Sequence, residues 1–372
     1  MKTLTPIRLG APLLVLALQA CIDSPDRLVE VINPDPDACP YLPVATTEYK
    51  GGNTLGEELS LTLTPDDMGY RIVLDASSVR SAGSERNGTL TKLEDCVYAS
   101  DEAGAVFALA PNGVVTGGVA TPDSTGFAPM VAFRDTFENS ADPTAFNAIA
   151  DINVIIGVDN VGGVATPYGG SGRIRNAGTF QRCQDDATSR FSVYASGCAL
   201  TDKGYLTYNA DRNAFDVYAT DPAGSAVTEG GTLNGSMVIG LVAGAQVPVQ
   251  LLRESANRTG LYLHLPQDPV VAEGLDGRYA LADTGSGNAL ATIAGSAFTL
   301  DTESATLTYD DPVSGVLAAT GTVNGNLLAG RGLLARVPAA GDSTSPALAL
   351  GVGCGDDDST DTTTCDNAAD GT

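Results

Sequence analysis

The chain has no tryptophan and one histidine, His264, and its 20 lysines and arginines face 45 aspartates and glutamates. Each shortage excludes something. Without tryptophan the usual best stacking platform for a sugar ring is missing. One histidine cannot build a His cluster, and no C-x2-C pair occurs, so neither zinc nor any other cofactor is expected. Charged residues are only 17% of the total, yet the formal net charge is −25. The imbalance therefore comes from scarce cations, and it excludes nucleic acid as a partner, because phosphate contacts need a basic surface. It also excludes direct adhesion to anionic lipid headgroups. No Gly-x-Ser-x-Gly elbow supports Ser-His-Asp catalysis. After the N-terminal region, no stretch is apolar over the roughly 20 residues that a spanning helix needs.

What the chain does have is glycine, 43 of 372 residues, and short apolar stretches bounded by Gly, Asn, Asp or Pro. Strands are predicted at Leu59–Thr64, Tyr70–Leu74, Thr89–Leu93, Val97–Ala99, Ala105–Leu109, Phe191–Ala195, Tyr205–Tyr208, Phe215–Ala219, Leu261–Leu265, Leu290–Ile293 and Ala305–Tyr309. Several alternate apolar with polar, as in Leu59-Ser60-Leu61-Thr62-Leu63-Thr64, the period of a half-buried antiparallel strand. Asn-Gly pairs at 87–88, 112–113, 234–235 and 324–325 predict hairpin turns. One helix is plausible, at Asp142–Ala150, with Ser140 or Asp142 as cap and Pro143 in the first turn.

Three blocks repeat. Val97–Gly104 matches Val217–Gly224, Gly231–Gly240 matches Gly321–Gly330, and Leu206–Asn209 matches Leu307–Asp310. The offsets differ, which excludes a strict solenoid and fits diverged units with loops of unequal length. The expected fold is all-β: two or three tandem antiparallel units, small barrels or sandwiches, at 39–165, 166–268 and 269–353, with an acidic tail at 354–372. Barrels and sandwiches both protect strand edges. Leu275-Asp276-Gly277-Arg278-Tyr279 resembles the Gly-x-aromatic opening of lipocalin barrels.

The N-terminus has the three parts of an export leader over residues 1–20. Lys2 and Arg8 are followed by the apolar run Ala11–Leu18 and then by Gln19-Ala20-Cys21. Leu18-Gln19-Ala20-Cys21 resembles the lipobox of bacterial lipoproteins, in which the Cys receives diacylglycerol and becomes the first mature residue. The resemblance implies lipidation of Cys21 and attachment to a membrane through that lipid. In that family an Asp directly after the Cys retains the protein in the inner membrane. Here that residue is Ile22, so the resemblance implies the outer membrane. Residues 21–38, rich in Asp and Pro, cannot bury enough apolar surface to offset their ordering entropy and read as a lipidated tether, although Leu28-Val29 and Val31-Ile32 are suited to docking. Apart from Cys21, six cysteines remain: Cys39, Cys96, Cys183, Cys198, Cys354 and Cys365. An even number in an exported chain points to disulfides, with 15 possible pairings. Neighbours within units suggest Cys39–Cys96, Cys183–Cys198 and Cys354–Cys365.

Candidate chemistry is sparse. Asp283-Thr284-Gly285-Ser286 resembles the catalytic turn of aspartic proteases, and Leu327–Leu334 loosely resembles the apolar-Gly-Arg segment of the retroviral type. A second Asp-Thr-Gly is absent, and the motif also reads as an ordinary turn between strands. His264, in Leu261-Tyr262-Leu263-His264-Leu265, falls opposite the leucines on a strand and is expected to face solvent or line a pore. The Asp-rich stretch after Cys354 could offer oxygens to calcium but lacks EF-hand spacing and reads as a solvated tail. No catalytic residue is therefore assigned. The expected function is a non-enzymatic envelope lipoprotein that binds an unknown protein or envelope partner, or supports structure. Alternatives are a carboxylate-dependent hydrolase, either glycosidase or Asp-Thr-Gly protease, and a barrel that carries an apolar ligand. Lipoproteins of transferrin-receptor type also combine lipid, tether and Gly-rich β-lobes, an analogy of architecture alone.

Overall fold

The computed structural model describes residues 14–16, 39–94, 96–102, 104–137, 153–174, 178–183, 200–219, 231–266, 276–283, 287–300, 303–311, 316–323, 326–339 and 342–356. Strand β1 is Leu14–Leu16. The first unit is β2 (Thr47–Asn53), β3 (Glu58–Thr64), β4 (Gly69–Ala76), β5 (Glu85–Glu94), β6 (Val97–Ser100), β7 (Ala105–Ala110), β8 (Val114–Ala120) and β9 (Phe127–Phe133). Each strand pairs antiparallel with the next, and β9 returns to β2 to close a barrel.

The second unit is β10 (Asn153–Val161), β11 (Val164–Ile174), β12 (Thr179–Cys183), β13 (Leu200–Asn209), β14 (Ala214–Ala219), β15 (Leu233–Val242), β16 (Ala245–Ser255) and β17 (Arg258–Pro266). It closes in the same way, β17 onto β10. The third unit is a sheet of β18 (Gly277–Asp283), β19 (Gly287–Ala294), β20 (Ala297–Leu300), β21 (Glu303–Asp311), β22 (Val316–Val323), β23 (Asn326–Ala339) and β24 (Asp342–Asp356), with β1 added beside β18. The fold is all-β, and the two units whose closure is complete are barrels rather than sandwiches.

The alternation in β3 sets the interior of barrel one. Leu59, Leu61 and Leu63 are buried and join Tyr49, Tyr70, Ile72, Phe107 and Met130 in one core, with the Tyr70 ring edge-on to Phe107 at 5.6 Å. Eight strands leave an interior that side chains alone can fill. Strand β7 is buried at all six positions, because both its faces are covered. Ala105, Phe107 and Leu109 enter the barrel core, whereas Ala108 and Ala110 turn outward, where β19 of the third unit lies beside β7.

Barrel two is apolar on part of its outer wall as well as inside. Val154, Ile156 and Val158 of β10 and Leu261, Leu263 and Leu265 of β17 point outward and cluster with Val114, Val131 and Phe133 of barrel one. Strands β23 and β24 also lie against β10 and β11 on this side. Its interior holds Ile155, Phe180, Phe215, Met237 and Tyr262. The two barrels interlock through reciprocal glycine notches. A Cβ on Gly52 would lie 2.3 Å from Leu251 Cδ2 across the interface, and one on Gly240 would lie 2.3 Å from Phe133 Cγ.

The repeats land on equivalent strands. Val97 and Val217 start matching segments in the fifth strand of their barrels, and Leu206 and Leu307 lie in the fourth strand of barrel two and of the third unit's sheet. Two details differ from expectation. The seam placed at 165/166 falls in the first hairpin of barrel two, which begins at Asn153. Its tip, Gly162-Gly163, is a tight turn between strands of one unit and not a linker. Of the Asn-Gly pairs, 112–113 is a turn, but 87–88 lies inside β5 and 234–235 inside β15. Gly235 sits at a register shift against β14, where a Cβ would meet the Leu251 carbonyl oxygen at 2.0 Å, so close backbone approach selects glycine there. The Asn324-Gly325 pair, the helix expected at Asp142–Ala150 and the strand expected at Phe191–Ala195 lie outside the described residues.

Candidate functional site

Three residues of barrel one, Glu57, Glu58 and Asn53, are fully buried. As neighbours on an extended chain, Glu57 and Glu58 point to opposite sides. Arg80 grips Glu57, with Nε donating to Oε1 at 2.7 Å and Nη2 donating to Oε2. Ser77 Oγ donates to the same Oε1 at 2.9 Å, and Asn53 Nδ2 donates to Oε2 at 2.7 Å. Arg80 Nη1 also ties to the carbonyl of Ala120 at 3.0 Å. This carboxylate is saturated with donors and braces the wall.

Glu58 joins the barrels. Arg212, on the turn between β13 and β14 of barrel two, donates from Nη1 to Glu58 Oε2 at 2.7 Å and from Nη2 to Asp216. Lys50 Nζ stands 3.5 Å from both Glu58 Oε1 and Asp75 Oδ2, and Ser60 Oγ donates to Asp75 Oδ2 at 2.8 Å. Charges thus alternate in sign from Asp75 through Lys50, Glu58 and Arg212 to Asp216, crossing from one barrel to the other. A second tie is Arg253, whose Nη1 donates to the Gly56 carbonyl at 3.1 Å and to Ser236 Oγ at 2.9 Å.

Above this chain of ion pairs lies a cleft of about 530 Å³. Tyr49, Lys50, Ser60, Asp75 and Arg212 form its floor, and the exposed Glu48, Arg134 and Asp211 form its rim. Hydrogen bonds to Asp135 hold the Arg134 guanidinium above its ordinary range. The cleft offers both charge signs and few apolar groups. That suits it to a polar partner and not to a hydrocarbon.

Barrel two encloses a second polar group. The Arg182 guanidinium lies 4.6 Å from the Tyr262 ring centroid, 4.8 Å from Tyr168 and 5.4 Å from Phe180, a cation among aromatic faces. Arg182 Nη2 and His264 Nε2 share Gln250 Oε1 at 3.5 and 3.4 Å. Tyr262 donates its hydroxyl to Asp159. His264 is 1% exposed, so of the two expected positions it lines the barrel and does not face solvent. Burial, helped by the nearby Arg182 charge, lowers its pKa to about 3. It is therefore a neutral imidazole at ordinary pH.

The other residues singled out from the sequence are scattered. Cys39 and Cys96 form the expected disulfide. Cys183 and Cys354 lie on β12 and β24 with side chains outside the described residues, as are Cys21, Cys198 and Cys365 altogether. Asp283 ends β18, and its side chain and Thr284–Ser286 are likewise not described. Sequence reading missed Lys50, Glu58, Asp75 and Arg212. The available signal was Glu57-Glu58 at the head of an alternating strand in a chain with few cations to neutralise them.

No protein-family model and no curated protein matches the chain. Two solved structures resemble it slightly. One is a protein of unknown function from the DUF3598 family of Nostoc punctiforme, 11% identical, covering 59% of this chain and 100% of that one with a TM-score of 0.19. The other is a tryptophan-to-alanine mutant of transferrin binding protein B, a vaccine antigen of Haemophilus parasuis, 10% identical, covering 84% of this chain and 76% of that one with a TM-score of 0.18. Neither likeness bears on activity at these values, and the barrels stand on their own strand pairing.

Proposed function

We propose that the chain is a cell-envelope lipoprotein, acylated on Cys21 and carried on the outer membrane, that acts as a non-enzymatic binding module. The cleft between barrels one and two is its recognition site. One observation carries this reading: the barrels are locked by buried ion pairs, and directly above the lock they leave a cleft whose rim charges are exposed. A fixed rim of mixed sign recognises a polar surface by complementarity with little ordering cost on binding. The partner is a protein or envelope component presenting both charge signs.

The apolar-carrier reading needs an unfilled interior, whereas both closed barrels are filled with side chains. Of the hydrolase readings, the protease rests on Asp283, whose side chain lies outside the described residues, and the glycosidase has no carboxylate pair singled out for it. The test is a pull-down from intact cells and purified envelope, comparing wild type, Cys21→Ala and the rim variant Glu48→Lys with Arg134→Glu, alongside palmitate labelling. Cys21→Ala should lose both palmitate and envelope retention, and the rim variant should keep both but lose its partner. Palmitate incorporation without Cys21 would overturn the anchor. Unchanged capture by the rim variant would overturn the cleft.

A further inference from the structure

Each barrel closes with eight strands from its own segment, whereas among the described residues the third unit supplies seven, β18 to β24. Its eighth place is filled from the far end of the chain. Strand β1 runs antiparallel to β18, with Leu14 opposite Ala282 and Leu16 opposite Ala280, and it also lies beside β24. Leu14–Leu16 belongs to the stretch read as an export leader, so the inference rests on that reading. Removal of the leader bares a row of backbone N–H and C=O groups along β18, the kind of edge that recruits another strand. In both barrels the last strand follows the seventh in sequence. Here the corresponding stretch, 357–372, is acidic and contains no Val, Ile, Leu, Phe or Tyr, so it is a poor strand.

We propose that in the mature chain Leu28–Ile32 of the tether takes this place beside β18. Its sequence, Leu-Val-Glu-Val-Ile, is the one β-branched apolar stretch in an otherwise Asp- and Pro-rich tether, and it matches the Leu-Val-Leu of β1 in kind. Direction agrees as well. A strand antiparallel to β18 leaves the slot at the Arg278 end. Arg278 Nη2 is 3.6 Å from Glu94 Oε2, two residues from Cys96, which is bonded to Cys39. The fixed end of the tether thus stands where such a strand emerges. Asn33–Ala38 spans up to about 20 Å when extended, and Pro34 and Pro36 stop the strand before Cys39. Only Ile22–Arg27 then separates the lipid from the folded body, again up to about 20 Å, and the third unit is held against the membrane.

The test compares the mature protein, purified from envelope, with its Val29→Asp/Val31→Asp variant by hydrogen exchange and mass spectrometry. Amides of Gly277–Asp283 should be protected in the wild type and exchange at least tenfold faster in the variant. The two barrels should not change, and a peptide of residues 27–33 added to the variant should restore protection. Equally fast exchange in both proteins would overturn the proposal. So would equal protection in both, and protection that grows with protein concentration would assign the slot to a second copy. Intact mass separates the two failures: a chain that still contains residues 1–20 refutes the leader reading, whereas a chain starting at Cys21 with β18 unprotected refutes only the tether strand.

Discussion

His264 gives the sharpest prediction, because it is the chain's one histidine and so governs the titration between pH 5 and 7.5. Its pKa falls from 6.5 to about 3 in the folded protein, first through burial and second through the Arg182 charge. Below pH 6.5 the unfolded chain therefore binds a proton that the folded chain refuses, and stability falls with pH from that point down to about pH 3. At pH 5 the histidine lies 1.5 units below its unfolded pKa, which at 1.36 kcal/mol per unit costs about 2 kcal/mol relative to pH 7.5. That is roughly a thirtyfold shift toward the unfolded barrel. Urea unfolding at the two pH values, followed by pulse proteolysis with fragments of 153–266 identified by mass, reads barrel two by itself. His264→Gln keeps a polar side chain but cannot titrate, so its midpoints at pH 5 and 7.5 should coincide apart from a small residual. An equal acid-induced loss in wild type and His264→Gln would refute the assignment of a neutral buried imidazole.

Glu58→Ala removes the acceptor shared by Lys50 and Arg212. It should destabilise the paired barrels by about 3 kcal/mol, the low end for a broken buried pair because Asp75 and Asp216 retain those cations. Arg71→Ala, which breaks an exposed pair with Glu85, should leave the urea midpoint unchanged and serves as the control. Opening Cys39–Cys96, 57 residues apart, with a double Ser substitution should cost barrel one about 4 kcal/mol by the loop-entropy relation; an unshifted thermal midpoint would contradict it. Gly240→Ala drives a methyl into the Phe133 ring and should cost about 1–3 kcal/mol by overpacking, measured as a lower urea midpoint in both barrels.

Much of the architecture was legible because local rules decide it. Alternation from Leu59 to Thr64 marked a strand, and the Val97 and Val217 repeats marked the same strand position in two barrels. The alternation around His264 was also read correctly, while the choice between facing solvent and lining a pore stayed open. Period two shows which residues share a face; only the neighbours show which face is inside. Here the leucine face is covered by barrel one and the third unit, so β17 can turn His264 inward against Phe180. The Asn-Gly pairs misled at 87–88 and 234–235, which lie inside strands; at 235 close backbone approach and not a turn selects glycine. The cleft could not be found along the chain, because its parts run from Glu48 to Asn213 and meet only through the packing of one barrel on the other.

The outward leucine face of barrel two also limits how the protein can be made. A barrel that also carries an aliphatic outer wall is not a free-standing product. A chain that emerges N-terminus first delivers barrel one first, so half of that wall has its cover waiting as it appears. The other half stays bare until β23 and β24 arrive, which begin 60 residues after Pro266 and end 90 residues after it. The third unit therefore shields a surface that stays unfinished until the chain's last strands are made. Fragments ending near Pro266 should be lost to aggregation even though both of their barrels are complete.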